Sequence, residues 1–252
     1  MRVKSSIVPN FFTMANMFCG FYSVVMAAQA GSGNRGAFIW AAWLIIAAAV
    51  LDVLDGKLAR LTKSSSSFGV QYDSLADVVS FGFAPAFLAY KVFFFKWGFI
   101  GLLLSFMPLV FGSIRLARFN IRLSGFDKEY FEGLPIPAAA VTIASFVIFN
   151  FRFWDTLRWS KLYLVLLIFL SLMMISLIRY EKVPNFTLQA DAKTRMKIIL
   201  VLLGVVIIIF SPEETFFPIA ILYCFSGPVK ALLVILNPNR QKRTNEIMDD
   251  SE

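Results

Sequence analysis

The sequence has no histidine, only two cysteines among 252 residues, and few charged residues, 16% in all. The absence of histidine excludes metal sites built on imidazole ligands, which include most catalytic zinc centres. Cys19 and Cys224 both lie in apolar runs, where a small buried side chain is the expected role. The low charge content, together with 58% hydrophobic residues and 28 phenylalanines, excludes an ordinary soluble domain.

Long apolar runs are abundant instead, and several approach the length of about 20 residues that a helix needs to cross a bilayer. The sequence therefore predicts an all-α integral membrane protein with about eight transmembrane helices. We expect residues 1–237 to form one membrane domain and residues 238–252 to form a polar, disordered cytoplasmic tail. The expected spans are residues 11–30, Ala37–Arg60, Tyr72–Phe95, Phe99–Leu116, Leu134–Phe153, Leu162–Ile178, Met196–Phe210 and Phe216–Leu236.

Lysine and arginine are distributed unevenly across this eight-span arrangement, with 18 of the 24 on one side. Because cytoplasmic loops carry the excess of basic residues, the asymmetry predicts a multi-pass protein of the cell membrane with both termini in the cytoplasm. The net charge of +8 is dispersed between spans, so it fits an anionic lipid leaflet and gives no reason to expect a nucleic-acid partner.

The segment Asp52–Asp77 places four aspartates at the end of the second span and the start of the third, on the cytoplasmic side. Asp52 and Asp55 are three residues apart, and Asp73 and Asp77 are four apart, so on helices each pair lies on one face. Acids at a membrane boundary are usually functional, and four together cannot all stay ionised without cations. Hard oxygen ligands suit Mg²⁺, Mn²⁺ or Ca²⁺, and two divalent cations would balance the four charges.

The residues between the two acidic pairs favour a phosphate-bearing ligand. Gly56 has no Cβ, so a ligand can approach the helix closely, and Ala59 keeps the same face shallow. Arg60 offers a forked donor for a phosphate, and Gly69 allows a close approach one turn before Asp73. The residues leave two structural alternatives open: the acids form an ion-pair network with Lys57, Arg60 and Lys63, or they belong to a solvated helix end.

These residues match, position for position, the signature DxxDGxxARx8GxxxDxxxD, and by it the chain is identified as a member of the CDP-alcohol phosphatidyltransferase family. The resemblance implies a membrane enzyme that displaces CMP from a CDP-linked lipid, commonly as a homodimer. It implies that Asp52, Asp55 and Asp73 hold one cation, that Asp52, Asp73 and Asp77 hold a second, and that Asp77 is the general base. The implied CDP contacts are Asp55, Gly56, Ala59, Arg60, Gly69 and Asn16.

Four further segments resemble the polytopic phosphatidylserine synthases within this family: PNFFTMANMFCGF, SFGFAPA, RLARFN and FEGLPIPAAA. This resemblance implies transfer of a phosphatidyl group from CDP-diacylglycerol to the hydroxyl of L-serine, which yields phosphatidylserine and CMP. Archaetidylserine synthases are similar throughout, so an archaetidyl donor stays open. Other acceptors of the same chemistry, such as glycerol 3-phosphate or an inositol phosphate, stay open as well.

An L-serine acceptor carries a carboxylate, which needs a cationic partner near the metals. Arg115 and Arg118 are three residues apart at a cytoplasmic helix end and can share one face, and Asn120 adds an amide. We therefore expect these three residues to bind serine. The alternative is that the two arginines only follow the excess of positive charge on the cytoplasmic side.

A function of another class is a divalent-cation or solute transporter whose acids bind its cargo. Transport predicts acids deep in discontinuous helices and an inverted repeat. The sequence shows no such repeat, and the motif lies at one membrane face. A membrane glycosyltransferase with an aspartate-rich site is a weaker alternative.

Overall fold

A computed structural model of the protein describes residues 7–31, 34–62, 67–122, 130–156, 158–181, 196, 203–204, 206–208 and 210–236. Within these ranges the chain is almost entirely helical. The elements are α1 (Ile7–Gln29), α2 (Arg35–Thr62), α3 (Ser67–Asp77), a π-helical turn (Val78–Phe83), α4 (Ala84–Val92), a 3₁₀ turn (Phe94–Trp97), α5 (Gly98–Arg122), β1 (Tyr130–Glu132), α6 (Ile136–Trp154), α7 (Ser160–Ile175), β2 (Arg179–Glu181) and α8 (Pro212–Leu236).

The prediction of an all-α, multi-pass membrane protein is confirmed. Among the described residues, six helical segments are long and apolar enough to cross a membrane: Phe11–Gln29, Arg35–Leu58, Phe68–Val92, Phe94–Ile121, Ile136–Trp154 and Pro212–Leu233. The expected span Leu162–Ile178 corresponds to α7, an apolar helix of 16 residues. The expected span Met196–Phe210 falls mostly outside the described residues, and the expected polar tail falls outside them entirely. The count of eight spans therefore stays a prediction.

The core of the bundle lies around α6, which has the largest buried share of the six spans. Phe146 of α6 stacks on Tyr163 of α7 with ring centroids 4.9 Å apart, and Tyr163 stacks in turn on Phe94 at 6.0 Å. All three rings are buried, and so is Cys224, as expected. Helices that are apolar on every face suit a bilayer, because the outer faces meet lipid.

One end of the bundle carries a two-stranded antiparallel sheet, in which Phe131 of β1 lies opposite Tyr180 of β2. Just after β1, the backbone N–H of Leu134 donates to the carbonyl of Met173 in α7 at 2.9 Å. These contacts tie the α5–α6 connection to the end of α7. We call this region, around β1 and β2, the sheet end.

The other end of the bundle carries exposed ion pairs. Arg35 at the start of α2 pairs with Asp155 just after α6. Arg152 in the last turn of α6 pairs with Glu213 at 3.3 Å and with Glu214 at 3.4 Å, in the first turn of α8. We call this region, defined by these five residues, the ion-pair end. Since α2 begins here and runs toward the sheet end, Asp52 and Asp55 in its second half lie toward the sheet end.

Candidate active site

Three aspartates from two helices converge at one point. Asp52 comes from α2, and Asp73 and Asp77 come from one face of α3, as their spacing predicted. Each offers a carboxylate oxygen, and the three oxygens lie within 4.8 Å of one another. Asp77 is buried, and the other two are half-buried. Carboxylates this close and this shielded from water repel one another unless a proton or a cation intervenes. We call these three residues the acid triad.

The fourth predicted acid, Asp55, lies beside the acid triad and interacts electrostatically with Asp52 and Asp73. Its Oδ2 accepts a hydrogen bond from the hydroxyl of Thr13 in α1. Its Oδ1 is buried and has no hydrogen-bond partner among the residues that the structure describes. Asp55 therefore has one oxygen held by α1 and one oxygen left for a ligand.

Helix α1 supplies a second polar contact three residues further on. Asn16 is fully buried, and its Nδ2 donates to Asp77 Oδ1 at 3.5 Å. Ser80, in the π-helical turn that directly follows Asp77, donates to the carbonyl of Asn16 at 2.9 Å. A Cβ on Gly20 would lie 2.6 Å from the Ser80 Cα, so only glycine allows α1 to pack this closely against the π-helical turn. The contacts hold α1 against the helix that carries two acids of the triad.

Asn16 was predicted as a CDP contact, and the structure places its amide on Asp77. Thr13 was not predicted as a site residue, although its spacing from Asn16 puts both polar side chains on one face of an apolar helix. That spacing is the signal that could have found it. Outer groups of this kind orient the carboxylates that bind a ligand.

The remaining predicted CDP contacts lie along α2 and α3. Gly56 is exposed, and a Cβ at this position would meet none of the described residues within 4 Å, so the described part of the chain leaves the helix surface next to Asp55 open to a ligand. Gly69 lies in α3, one turn before Asp73. Ala59 and Arg60 belong to α2, but their side chains lie outside the described part of the chain. Their contact with CDP stays a prediction.

The three predicted serine contacts on α5 have different surroundings. Arg115 is buried and interacts electrostatically with Asp77, and in the described part of the chain its Nε has no hydrogen-bond partner. Arg118 is exposed and donates to the carbonyl of Ile175 at the end of α7, at 3.3 Å. Asn120 donates to the hydroxyl of Ser74 on α3 at 2.9 Å. The structure thus brings Arg115 to the acids and directs Arg118 to α7.

The donor set fits a divalent cation. The acid triad and the free oxygen of Asp55 are all hard oxygen ligands, which Mg²⁺, Mn²⁺ and Ca²⁺ prefer. The partners that these carboxylates have on α1 are a hydroxyl and an amide, both neutral, so they orient the acids without balancing their charge. A cation at the triad would supply that balance.

Comparison with known proteins agrees with this geometry. Residues 6–167 match the CDP-alcohol phosphatidyltransferase family. The CDP-diacylglycerol–serine O-phosphatidyltransferase of Helicobacter pylori is 37% identical over 241 residues, which cover 93% of this chain and 96% of that protein. A protein of the same name from Saccharomyces cerevisiae is 39% identical over 142 residues, which cover 53% of this chain and 51% of that protein. The archaetidylserine synthase of Methanothermobacter thermautotrophicus is 37% identical over 181 residues, which cover 71% of each.

Proposed function

The chain belongs to the CDP-alcohol phosphatidyltransferase family, and we propose that it transfers the phosphatidyl group of CDP-diacylglycerol to the hydroxyl of L-serine. The products are phosphatidylserine and CMP. The observation that carries the proposal is the similarity to a serine O-phosphatidyltransferase over 93% of the chain, together with an acid triad at the matched motif. The name of the archaetidylserine synthase relative specifies a different lipid, but it also specifies serine.

Burial of Arg115 supports an acceptor with a carboxylate. A guanidinium shielded from water needs hydrogen-bond acceptors for its N–H groups, and the Nε of Arg115 has no hydrogen-bond partner among the described residues. The carboxylate of serine would provide that partner. With the carboxylate on Arg115, the hydroxyl of serine would lie on the side of Asp77, because the two residues interact electrostatically.

We propose that the acid triad and Asp55 hold two divalent cations, Mg²⁺ or Mn²⁺, during turnover. When bound, the cations supply Lewis-acid stabilisation of the charge on the diphosphate and on the departing CMP. Thr13 and Asn16 hold Asp55 and Asp77 in place. Gly56 leaves room for the nucleotide beside Asp55.

In the proposed reaction, the serine oxygen attacks the phosphorus that bears the diacylglycerol oxygen. The bond from this phosphorus to the bridging oxygen breaks, and CMP leaves with the electron pair. Asp77 accepts the hydroxyl proton, which makes it the general base. Its burial excludes bulk water, which would otherwise compete with serine for the phosphorus.

We propose that the site faces the cytoplasm, where serine and CMP are dissolved. The uneven distribution of basic residues supports this orientation, because 18 of 24 lie on the side of the acidic motif in the eight-span arrangement. The lipid substrate would reach the site laterally from the membrane. A homodimer is the assembly that the family resemblance suggests.

The test is CMP release by the purified protein with CDP-diacylglycerol and one acceptor at a time. We expect release with L-serine, and only background release with glycerol 3-phosphate, with an inositol phosphate or without an acceptor. The Asp52→Asn variant is the control for contaminating activity. Release with glycerol 3-phosphate in place of serine would contradict the proposed acceptor and keep the family chemistry.

A further inference from the structure

A tyrosine from β2 anchors α8 at one defined position. The hydroxyl of Tyr180 donates to the carbonyl of Cys224 at 3.0 Å. Pro228 lies four residues after Cys224 and has no N–H, so this carbonyl lacks its usual helical donor, and Tyr180 replaces it. A Cβ on Gly227 would lie 2.6 Å from the Tyr180 ring, so only glycine leaves room for the ring. Burial raises the pKa of Tyr180, which keeps the hydroxyl protonated as a donor.

This anchor brings Tyr223 toward the candidate active site. Tyr223 is half-buried, and its ring centroid lies 5.9 Å from that of Tyr180. Tyr223 and Arg115 interact electrostatically, and Arg115 interacts in the same way with Asp77. Arg115 of α5 therefore lies between Tyr223 of α8 and Asp77 of α3 and interacts with both.

A second contact ties α5 to the same region. Arg118 lies one turn after Arg115 on α5 and donates to the carbonyl of Ile175, four residues before β2 begins. The end of α7, which leads into β2, is therefore held to α5 by Arg118, and β2 is held to α8 by Tyr180. This coupling gives a physical reason why Tyr223 and Arg115 keep their relative position.

We propose that Tyr223 is an acceptor-site residue, whose hydroxyl donates to the carboxylate of the acceptor that Arg115 binds. The inference rests on the proposed function. A carboxylate has about four acceptor positions, and a guanidinium fork occupies two, so a phenol can take a third. The match to the family ends at residue 167, before α8 begins. In this proposal, residues 6–167, which match the family, bind the CDP-linked lipid and displace CMP. Helix α8 adds a contact that selects an acceptor with a carboxylate.

The test compares Tyr223→Phe with the unaltered enzyme. Phenylalanine keeps the ring that packs against Tyr180 and removes only the hydroxyl. We expect the KM for L-serine to rise about tenfold, because a hydrogen bond to a charged group is lost. The KM for CDP-diacylglycerol and kcat should stay within about twofold. Tyr22→Phe is the matched control, because Tyr22 is exposed on the outer face of α1, and it should change neither constant.

A second variant separates binding from support of the fold. Gly227→Ala should push the Tyr180 ring out of place, so it should lower the thermal unfolding temperature and raise the KM for serine together. Tyr223→Phe should leave the unfolding temperature within about 2 °C of the unaltered protein. An unchanged KM for serine in Tyr223→Phe, or an equal rise in KM for both substrates, would overturn the inference.

The two proposals fail in different measurements. Failure of the unaltered enzyme to release CMP with serine would contradict the proposed function, and the role of Tyr223 would fall with it. Failure of Tyr223→Phe to change the KM for serine, in an enzyme that does use serine, would contradict the role of Tyr223 alone.

Discussion

The two ends of the bundle treat their acidic side chains in opposite ways. At the ion-pair end, each acid meets an arginine: Asp155 pairs with Arg35, and Glu213 and Glu214 pair with Arg152. These side chains are all exposed to a large degree. Their charge is balanced within the chain, and water screens the rest. The acids at this end need no ligand.

Toward the sheet end, the three acids of the triad meet one another, and Arg115 interacts electrostatically with one of them, Asp77. The oxygens of Asp52, Asp73 and Asp77 lie within 4.8 Å, and the hydrogen bonds that α1 adds come from the neutral side chains of Thr13 and Asn16. Like charges this close repel one another strongly where water is scarce. Such a cluster is retained where a bound ligand offsets the repulsion. The two ends differ in how the charge of their acids is balanced, and this difference is the reason to place the candidate site at the acid triad.

The largest test of this contrast is removal of divalent cations. We expect excess chelator to reduce CMP release to background, because the single positive charge of Arg115 cannot balance the three carboxylates of the acid triad, and we expect added Mg²⁺ or Mn²⁺ to restore it. The measurement is CMP release before chelation, after chelation and after metal is returned. Full activity in excess chelator would contradict the proposed metal site.

The Asp77→Asn variant should lose proton transfer while it keeps the binding of metal and nucleotide. The amide keeps the shape and one oxygen ligand but cannot accept the serine proton, so turnover should fall by about 10² to 10⁴. Nucleotide binding in the presence of metal should largely survive. The measurements are metal-dependent nucleotide binding and single-turnover CMP release.

The matched variant for this prediction is Asp52→Asn, which removes charge from the triad on the α2 side. It should weaken metal and nucleotide binding together, because Asp52 is expected to contact both cations. Near-normal turnover of Asp77→Asn at saturating metal and serine would show that Asp77 is not the base.

A smaller effect should distinguish the two arginines of α5. Arg115→Ala should raise the KM for serine by about tenfold or more while the KM for CDP-diacylglycerol changes less, because a buried partner of the carboxylate is lost. Arg118→Ala should have the weaker effect, because the guanidinium of Arg118 donates to the carbonyl of Ile175 in α7. Kinetics with each substrate varied in turn measure both. An equal effect of Arg115→Ala on both substrates would mark it as nucleotide-facing or structural.

The smallest effect should come from the ion-pair end. Arg152→Gln removes two exposed ion pairs, so the free energy of unfolding should change by less than about 1 kcal/mol, and less at high salt. Turnover should be unchanged. Thermal unfolding at low and high salt, with CMP release alongside, checks both expectations. A large loss of turnover would show that the two ends are coupled and would contradict the contrast between them.

Much of the site could be predicted from local spacing. Four aspartates at helical intervals beside apolar runs predict a cation site, and three of them converge in the acid triad. The spacing could not predict that Asp55 would share its oxygens between α1 and a ligand, because Thr13 is 42 residues away. The spacing also could not predict that Arg115 would be buried near the acids while Arg118 contacts α7. A separation of three residues allows two side chains to share one face but does not require it.

Properties that depend on residues close together along the chain could be predicted before the fold was known. Apolar runs long enough for a bilayer indicated the all-α membrane fold, and the acidic motif indicated the family. The contacts between distant helices came from the fold: α1 packs against the helices that carry the acid triad, and α8 is hydrogen-bonded to β2 and interacts with Arg115 of α5. The physical reason is that lipid and neighbouring helices are equally apolar, so hydropathy does not reveal which face of a membrane helix packs inward.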